Sequence, residues 1–447
     1  MKTSETLPKK ATAVIIGGGI SGLSIAWHLA KKGMKDIVVL EKSYLGSGAT
    51  GRCGAGIRQQ WSAEVNCLMA KKSVTFFENA KKTLGYEGDI EFKQEGYLIV
   101  ASDEEETNTF KNNVALQNRL DIPTRILSKD EAKKIVPHLN TEGIDSATFC
   151  PTDGHLNPFK TLDAFYKASK REGVFIFTYT EVVAIHKEGD KVHAVVTDKG
   201  VIKTNTVINA GGGHAGVIGK MAGVDIPVFS QNREILVTEP VEKMQGPMVI
   251  SFTKNIYCQQ TPHGAFIMGR GDDRKAGYSV HSTHSFLDEM AKTLTNILPP
   301  IGKLRVIRQW GGLYNMSPDH QPIISNTKVQ GFYVACGFSG HGFMLAPMTG
   351  LLLSEIILGE TPTLRIKELS MSRFEGKNIK TLRKTSFKEE IVWLFTIMKW
   401  NHSRTFQKKR FLRSIRKVLK QSRGISVKSI RSSSEVSALR RKTSTHR

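Results

Sequence analysis

Gly17, Gly19 and Gly22, with Glu41 downstream, are the residues of this chain whose types and spacing most directly suggest chemistry. Gly17 permits a tight turn, Gly19 lets backbone amides close on a pyrophosphate, and Gly22 lets the following helix lie against the preceding strand. Ile20 and Ser21 lie between these glycines, just before a helix N-terminus, where unpaired N–H groups and the helix dipole favour an anion. Glu41 follows at the distance, roughly 20 residues, at which a carboxylate accepts ribose hydroxyls and repels a 2′-phosphate. Lys42 is its neighbour. Together these residues describe a cradle for an adenine dinucleotide. A second glycine-rich run, Gly46 to Gln60, contains Ala49, Thr50, Gly51, Arg52, Gly56 and Ile57. It lets backbone approach a second part of the same ligand, which a generic dinucleotide-binding domain does not need.

The positioning elements are legible around these residues. Val14, Ile15 and Ile16 form the short apolar run of a buried parallel strand. A helix is expected over Leu23–Lys32, with Gly33 as its C′ residue, followed by a second apolar strand that ends in Glu41. Strands and helices alternate to about residue 90, the pattern of an α/β domain. Further helices are expected at Asn66–Ala80, Ser102–Leu120, Ser128–Ile135 (with Glu131 three residues after Ser128), Pro158–Glu172, Phe286–Leu298 and Phe343–Leu358. Strands are expected at Phe175–Tyr179, Glu181–His186, Val192–Thr197, Thr206–Asn209 and Phe332–Cys336. Glu91–Ala101 alternates like a strand pair, and Tyr257–Arg270 reads as strands. Thr206–Gly216 also fits a strand followed by Gly-x-Gly-x-x-Gly, but no acid-terminated strand follows at the required distance. It is therefore read as a small-residue strand end approaching the first ligand, not as a second dinucleotide site.

Composition narrows the class. A chain of 447 residues can hold two or three domains. The first ten residues lack an apolar stretch of the signal-peptide kind, and no run reaches the length needed to span a bilayer. Cys53, Cys67, Cys150, Cys258 and Cys336 are scattered, which argues against a disulfide framework or a zinc site and for a cytoplasmic location. The formal charge of +23 is concentrated: residues 371–447 hold 22 Lys/Arg against 4 Asp/Glu, a net +18, leaving +5 for residues 1–370.

Three separated segments resemble the FAD-dependent amino-acid oxidase (DAO) superfamily, and within it the β subunit of heteromeric L-proline dehydrogenase and the sarcosine-oxidase-β-like proteins. These are Gly51-Arg-Cys-Gly-Ala-Gly-Ile-Arg-Gln-Gln60, Pro151-Thr-Asp-Gly-His-Leu-Asn-Pro158, and Gly337-Phe-Ser-Gly-His-Gly-Phe343 followed by Ala346-Pro347. The resemblance implies an α/β (α+β) architecture: a discontinuous Rossmann-like FAD-binding domain, a substrate domain with a mainly antiparallel sheet, and a basic C-terminal tail. The implied segments are 10–90, 151–220 and 325–370 for FAD binding, 91–150 and 221–324 for substrate, and 371–447 for the tail. By position, Val182 presents backbone to the adenine, Ala210 and Gly211 pass near the pyrophosphate, and Gly337, Gly340, His341, Gly342, Phe343 and Met344 belong to the flavin loop. A helix N-terminus near Phe343 would aim positive dipole at the flavin O2 side.

Departures from family patterns bear on the substrate. Glycine and D-amino-acid oxidases carry Trp-x-Gly-x-Arg to grip a carboxylate, whereas here Trp310-Gly-Gly-Leu ends in Tyr314. Monomeric sarcosine oxidase uses an Ile-Arg pair, matched by Ile57-Arg58, and a lysine where Met344 stands here. Arg58 is thus implied as the carboxylate ligand, since a guanidinium offers two parallel hydrogen bonds. Tyr257 and His263 are candidates for orienting the amine. Gly312 occupies the position of the covalently attached cysteine of monomeric sarcosine oxidase, so the implied FAD is noncovalent; His155 is not expected to carry a flavin either. The implied reaction is hydride transfer from the carbon beside nitrogen of a small amino or imino acid, of L-proline or sarcosine type, to flavin N5. The implied partner is a second flavin or iron–sulfur subunit, or another electron acceptor. Alternatives are a free-standing D-amino-acid dehydrogenase or oxidase, and a non-enzymatic flavoprotein with a membrane- or nucleic-acid-binding tail.

The tail contains an apolar run, Phe387–Trp400, too short to span a bilayer. Gln407–Arg423 has a basic amphipathic pattern suited to an anionic membrane surface; after Ser422 the composition is that of a disordered segment. Membrane association, partner docking and a non-native reading such as a frameshift are all left open for it, and nucleic acid is the disfavoured partner.

Overall fold

The computed structural model describes residues 6–271 and 276–376. The tail helix, the short apolar run and the basic terminal segment expected from the sequence lie outside the described residues.

A six-stranded sheet carries the glycine cradle. Its centre is Ala13–Ile16, fully buried and paired in parallel with Ile37–Leu40 on one side and Val207–Asn209 on the other. Phe175–Phe177 extends one edge in parallel; Phe332–Cys336 and then the antiparallel Ile323–Asn326 extend the other. The helix Ile20–Lys31 begins three residues earlier than expected from hydropathy, directly at the glycine turn. Helix Ala346–Leu358 packs on it so closely that a Cβ at Gly350 would overlap Ser24, whose Oγ donates to the Ala346 carbonyl at 2.8 Å. Both helices, the sheet, and the helices Glu64–Glu78 and Pro158–Arg171 close around one hydrophobic core.

An eight-stranded sheet forms the second layer, with strands Val306–Met316, Phe229–Pro240, Ala265–Arg270, Ile256–Gln260, Met248–Ser251, Tyr97–Ala101, Ser146–Cys150 and Arg125–Ser128 in spatial order. All neighbours are antiparallel except Met248–Ser251 with Tyr97–Ala101. Side chains paired across strands share a face. One face therefore gathers Leu98, Val100, Ala147, Val249, Cys258, Met268 and Leu236, and packs on the helices Lys129–Ile135 and His284–Ile297 to make a second core. The other face gathers Tyr97, Ile250, Tyr257, Gln259, Gly269, Ile235, Trp310 and Tyr314. A three-stranded antiparallel sheet, Val182–Glu188, Lys191–Thr197 and Gly200–Lys203, completes the body.

Several expectations from the sequence need correction. The helix expected at Asn66–Ala80 is Glu64–Glu78 followed by a separate short turn, Ala80–Thr83. Glu91–Ala101 is no strand pair: Lys93 only bridges to His155, Gly96 turns the chain with φ +87°, and the strand proper is Tyr97–Ala101. The flavin-loop helix starts at Ala346 rather than Phe343. The two longest strands, Phe229–Pro240 and Val306–Met316, were not anticipated, because their buried positions are polar: Ser230, Asn232, Glu234, Thr238 and Asn315. Among the described residues no helix is long and apolar enough to cross a membrane.

Candidate active site

The cradle is built from backbone. Gly17 sits at φ +120°, and a Cβ there would overlap the Ala210 carbonyl, so the strand end at Ala210–Gly211 closes against the glycine turn. A Cβ on Gly22 would overlap the Gly17 carbonyl. Gly19 offers no side-chain cap to the helix that starts at Ile20; Thr50 Oγ1 accepts from the Ile20 N–H at 3.1 Å, and the Leu23 N–H donates to the Gly19 carbonyl at 3.0 Å. Glu41 accepts from the Gly18 and Ser43 N–H groups at 2.8 and 2.9 Å, which fixes its carboxylate at the end of the second strand. The Thr180 N–H donates to the Glu41 carbonyl, bringing the buried Val182 beside that strand end. Lys42 Nζ lies 3.2 Å from His214 Nε2, and Ser21 follows Ile20 in the first helical turn. A pyrophosphate at an uncapped helix end and a ribose at a fixed carboxylate is the arrangement an adenine dinucleotide requires, and the residues present fit FAD.

The second glycine-rich run passes across the polar face of the eight-stranded sheet. Ala49–Arg52 is a short 3-10 turn, and Gly51 is held by the Gly46 carbonyl at 2.9 Å. Arg52 donates to the Gly311 carbonyl at 2.8 Å and to the Ser47 carbonyl at 3.0 Å; Trp310 Nε1 donates back to the Arg52 carbonyl. Gln259 Nε2 donates to the Gly54 carbonyl at 2.6 Å. Gly56 and Ile57 pair with His155 and Gly154, so the Pro151–Pro158 segment lies alongside. A Cβ on Gly56 would overlap Tyr97 Oη, which explains a glycine at this point.

Arg58 is brought to the same face. Its guanidinium carbon lies 3.9 Å from the Trp61 ring centre and 5.5 Å from that of Phe252. Among the described residues no hydrogen bond or ion pair reaches this guanidinium. Burial lowers its pKa, while the neighbourhood of Tyr97, Asp153 and Tyr314 raises it. Tyr97, Tyr257 and Tyr314 act electrostatically on one another, and burial drives all three phenols upward, so they remain neutral hydroxyl groups. Asp153 is fully buried behind Arg58. It accepts from the Gln59 N–H at 2.8 Å and Gln60 Nε2 at 2.9 Å, and burial pushes its carboxyl up to about 6.

The C-terminal loop meets this cluster through His341, whose ring centre lies 4.6 Å from that of Trp61. His341 is buried, its Nε2 has no partner, and burial lowers its pKa to about 3, leaving a neutral imidazole. Gly337 at φ +67° donates to Asn315 Oδ1 at 2.6 Å, and Gly340 at φ +99° lies against the Tyr314 ring. A Cβ on Gly342 would come within 2.8 Å of the Phe338 ring. The Phe343 side chain enters the first hydrophobic core and Met344 packs on it, so these two residues have only backbone to offer the loop side.

His263 is not part of the cluster. It sits in the turn joining Ile256–Gln260 to Ala265–Arg270, its side chain 73% exposed and 3.6 Å from Glu91. Along the chain it lies close to Tyr257, but the hairpin carries it to the strand tip. Conversely, Tyr97, Trp61, Phe252 and Asp153 had not been singled out for the site. Tyr97 lies in a continuous apolar run, Tyr97–Ala101, whose sequence does not show which face is which; Asp153 lies in the Pro151–Pro158 segment, and Trp61 and Phe252 carry no local signal.

Comparisons with known proteins agree with this geometry. The model of the FAD dependent oxidoreductase (DAO) family matches residues 12–356. The chain is 29% identical to the sarcosine oxidase subunit beta of Rhodobacter capsulatus, over 83% of this chain and 90% of that protein. It is 30% identical to the sarcosine oxidase subunit beta of an Arthrobacter species, over 82% and 92% respectively. The crystal structure of L-proline dehydrogenase from P. horikoshii superposes with a TM-score of 0.79 at 39% identity, covering 83% of this chain and 99% of that one. The chain belongs to the DAO family and is an FAD-dependent oxidoreductase.

Proposed function

We propose that this protein oxidises the C–N bond of a small amino or imino acid of L-proline or sarcosine type, as the β subunit of a heteromeric dehydrogenase. The observation that carries this reading is the Arg58 guanidinium, without a hydrogen-bond or ion partner among the described residues, on a sheet face lined by Tyr97, Tyr257 and Tyr314. Bound FAD supplies the acceptor for the hydride. Arg58 takes the substrate carboxylate through two parallel N–H donors. With the carboxylate so held, Tyr257 and Tyr314 orient the amine as neutral hydroxyl groups. The reading calls on no strong base: the amine enters unprotonated, and the hydride leaves the carbon beside it. Gly17, Gly19, Ile20, Ser21, Gly22, Glu41 and Val182 hold the nucleotide end. The Gly46–Ile57 run and the Gly337–Met344 loop hold the other end without a covalent bond. The same reading divides the chain into interleaved FAD-binding and substrate segments.

The relatives at 29 and 30% identity are named as subunits, which supports a partner chain that receives the electrons. Anaerobic addition of L-proline, sarcosine, glycine and D-alanine to the purified yellow protein tests the substrate. Bleaching of the flavin absorbance by L-proline or sarcosine is expected. Bleaching by D-alanine alone would overturn the assignment. Purification of the tagged protein from its native host tests the second part: a stoichiometric flavin or iron–sulfur subunit is expected, and a homogeneous single chain that reduces oxygen directly would refute the heteromer.

A further inference from the structure

We propose that Trp61 and Phe252 form an aromatic clamp that holds Arg58 for a carboxylate ligand while leaving its N–H donors free. The proposal rests on the reading of Arg58 as the carboxylate ligand. A carboxylate partner within the protein would fix a guanidinium just as firmly, but it would occupy the in-plane donors that a substrate needs. Ring faces hold the group without using any of them. Here the guanidinium carbon is 3.9 Å from the Trp61 centroid and 5.5 Å from that of Phe252. Among the described residues no acceptor competes. The nearest acid acting on it, Asp153, is engaged by Gln59 and Gln60 instead.

Each clamp member is itself positioned. Trp61 Nε1 donates to the Arg58 carbonyl at 2.9 Å, closing a turn that sets ring and guanidinium in register. The Trp61 carbonyl accepts from Gln117 Nε2 at 2.9 Å, which ties it to the helix Glu104–Arg119. The ring also meets His341, so the clamp joins the flavin-side loop to the carboxylate-binding group. Phe252 lies in the turn after Met248–Ser251, 51% exposed, with its ring centre 5.5 Å from the guanidinium carbon.

Calorimetric titration of the full-length flavin-loaded protein with pyrrole-2-carboxylate, a flat acid that cannot be oxidised in the same way, tests the clamp against its carboxamide analogue. Trp61→Leu and Phe252→Leu should each weaken the acid by about tenfold and leave the amide within twofold. Trp61→Phe should restore binding to within about threefold of the parent. Arg58→Ala should weaken the acid by about a hundredfold. Acid binding within twofold of the parent in the leucine variants, with Arg58→Ala defective, would overturn the clamp and leave the Arg58 reading standing. Equal loss of acid and amide would mark the two rings as merely structural and also overturn it. Unchanged acid binding by Arg58→Ala would overturn the Arg58 reading and the clamp with it. Because Phe252 is exposed, its variant decides the matter alone should Trp61→Leu fail to fold.

Discussion

Between Ala13 and Glu41 the molecule presents backbone to a ligand: glycine N–H groups, an uncapped helix end and one fixed carboxylate. Across the Tyr97, Tyr257 and Tyr314 face it presents side chains delivered by separate strands, with Arg58 held over them from the glycine-rich run. The first region lies in a single stretch of chain, whereas the second draws on residues 58 to 341. The contrast follows from the ligands. A pyrophosphate is the same in every dinucleotide enzyme and can be met by invariant backbone geometry. A substrate is recognised by donors and shapes that differ between enzymes, and those need side chains.

The comparison can be broken most severely at the cradle. Gly22→Val puts carbon into the Gly17 carbonyl, with no side-chain end that could yield. It is expected to destabilise the fold by about 3 kcal/mol or more and to yield colourless protein, read from the flavin-to-protein absorbance ratio. At the tyrosine face, Arg58→Ala should lower kcat/KM by roughly 10²-fold, about 3 kcal/mol of charge-assisted binding, while the flavin content stays at the parental level. Unchanged kinetics would remove Arg58 from the site.

A third prediction concerns the buried ionisable groups that sit between the two regions. Folding lowers His155 to about 4 and His341 to about 3. The unfolded chain therefore binds more protons than the native one below pH 6.5, and stability falls as pH falls, by about 1.4 kcal/mol per histidine per pH unit. Asp153, raised to about 6, acts in the opposite sense, since the native state takes up its proton first as the pH drops below 6. Net destabilisation between pH 6.5 and 4.5 is expected in urea unfolding curves, steeper for the parent than for His155→Gln. A flat profile would refute the buried neutral imidazoles.

Smaller effects sharpen the tyrosine face. Tyr314→Phe keeps the ring against Gly340 and removes only one hydroxyl, so a loss in kcat/KM of about fivefold is expected, the order of one neutral hydrogen bond. His263→Ala should leave steady-state kinetics within experimental error, because the side chain lies on the surface at a hairpin tip. A large defect there would reinstate it in the site.

The elements most readable in the sequence are those whose signal is local. Ser128 and Glu131 form the reciprocal capping box that their spacing implies, Asn157 with Pro158 starts a helix, and Phe332–Cys336 is a strand with the expected bounds. Strands Phe229–Pro240 and Val306–Met316 escaped because hydropathy treats a buried Asn232 or Asn315 as a loop residue. Those positions are polar because of what they face and bind, which no pattern along one strand reveals. His263 was misplaced for the complementary reason: nearness to Tyr257 along the chain says nothing about which end of a hairpin reaches the site.

By itself, the sequence determined the glycine turn after the first strand, the helix behind it, the acid that ends the second strand, and the resemblance that led to FAD, because each depends on neighbouring residues whose spacing is the geometry. Only the tertiary structure decided that Arg58 has no ion partner among the described residues, that the Trp61 and Phe252 rings lie near its guanidinium, and that Tyr97 joins Tyr257 and Tyr314 on one face. Strand order and register set those proximities, and both arise from burying the opposite, apolar face of the eight-stranded sheet against its helices.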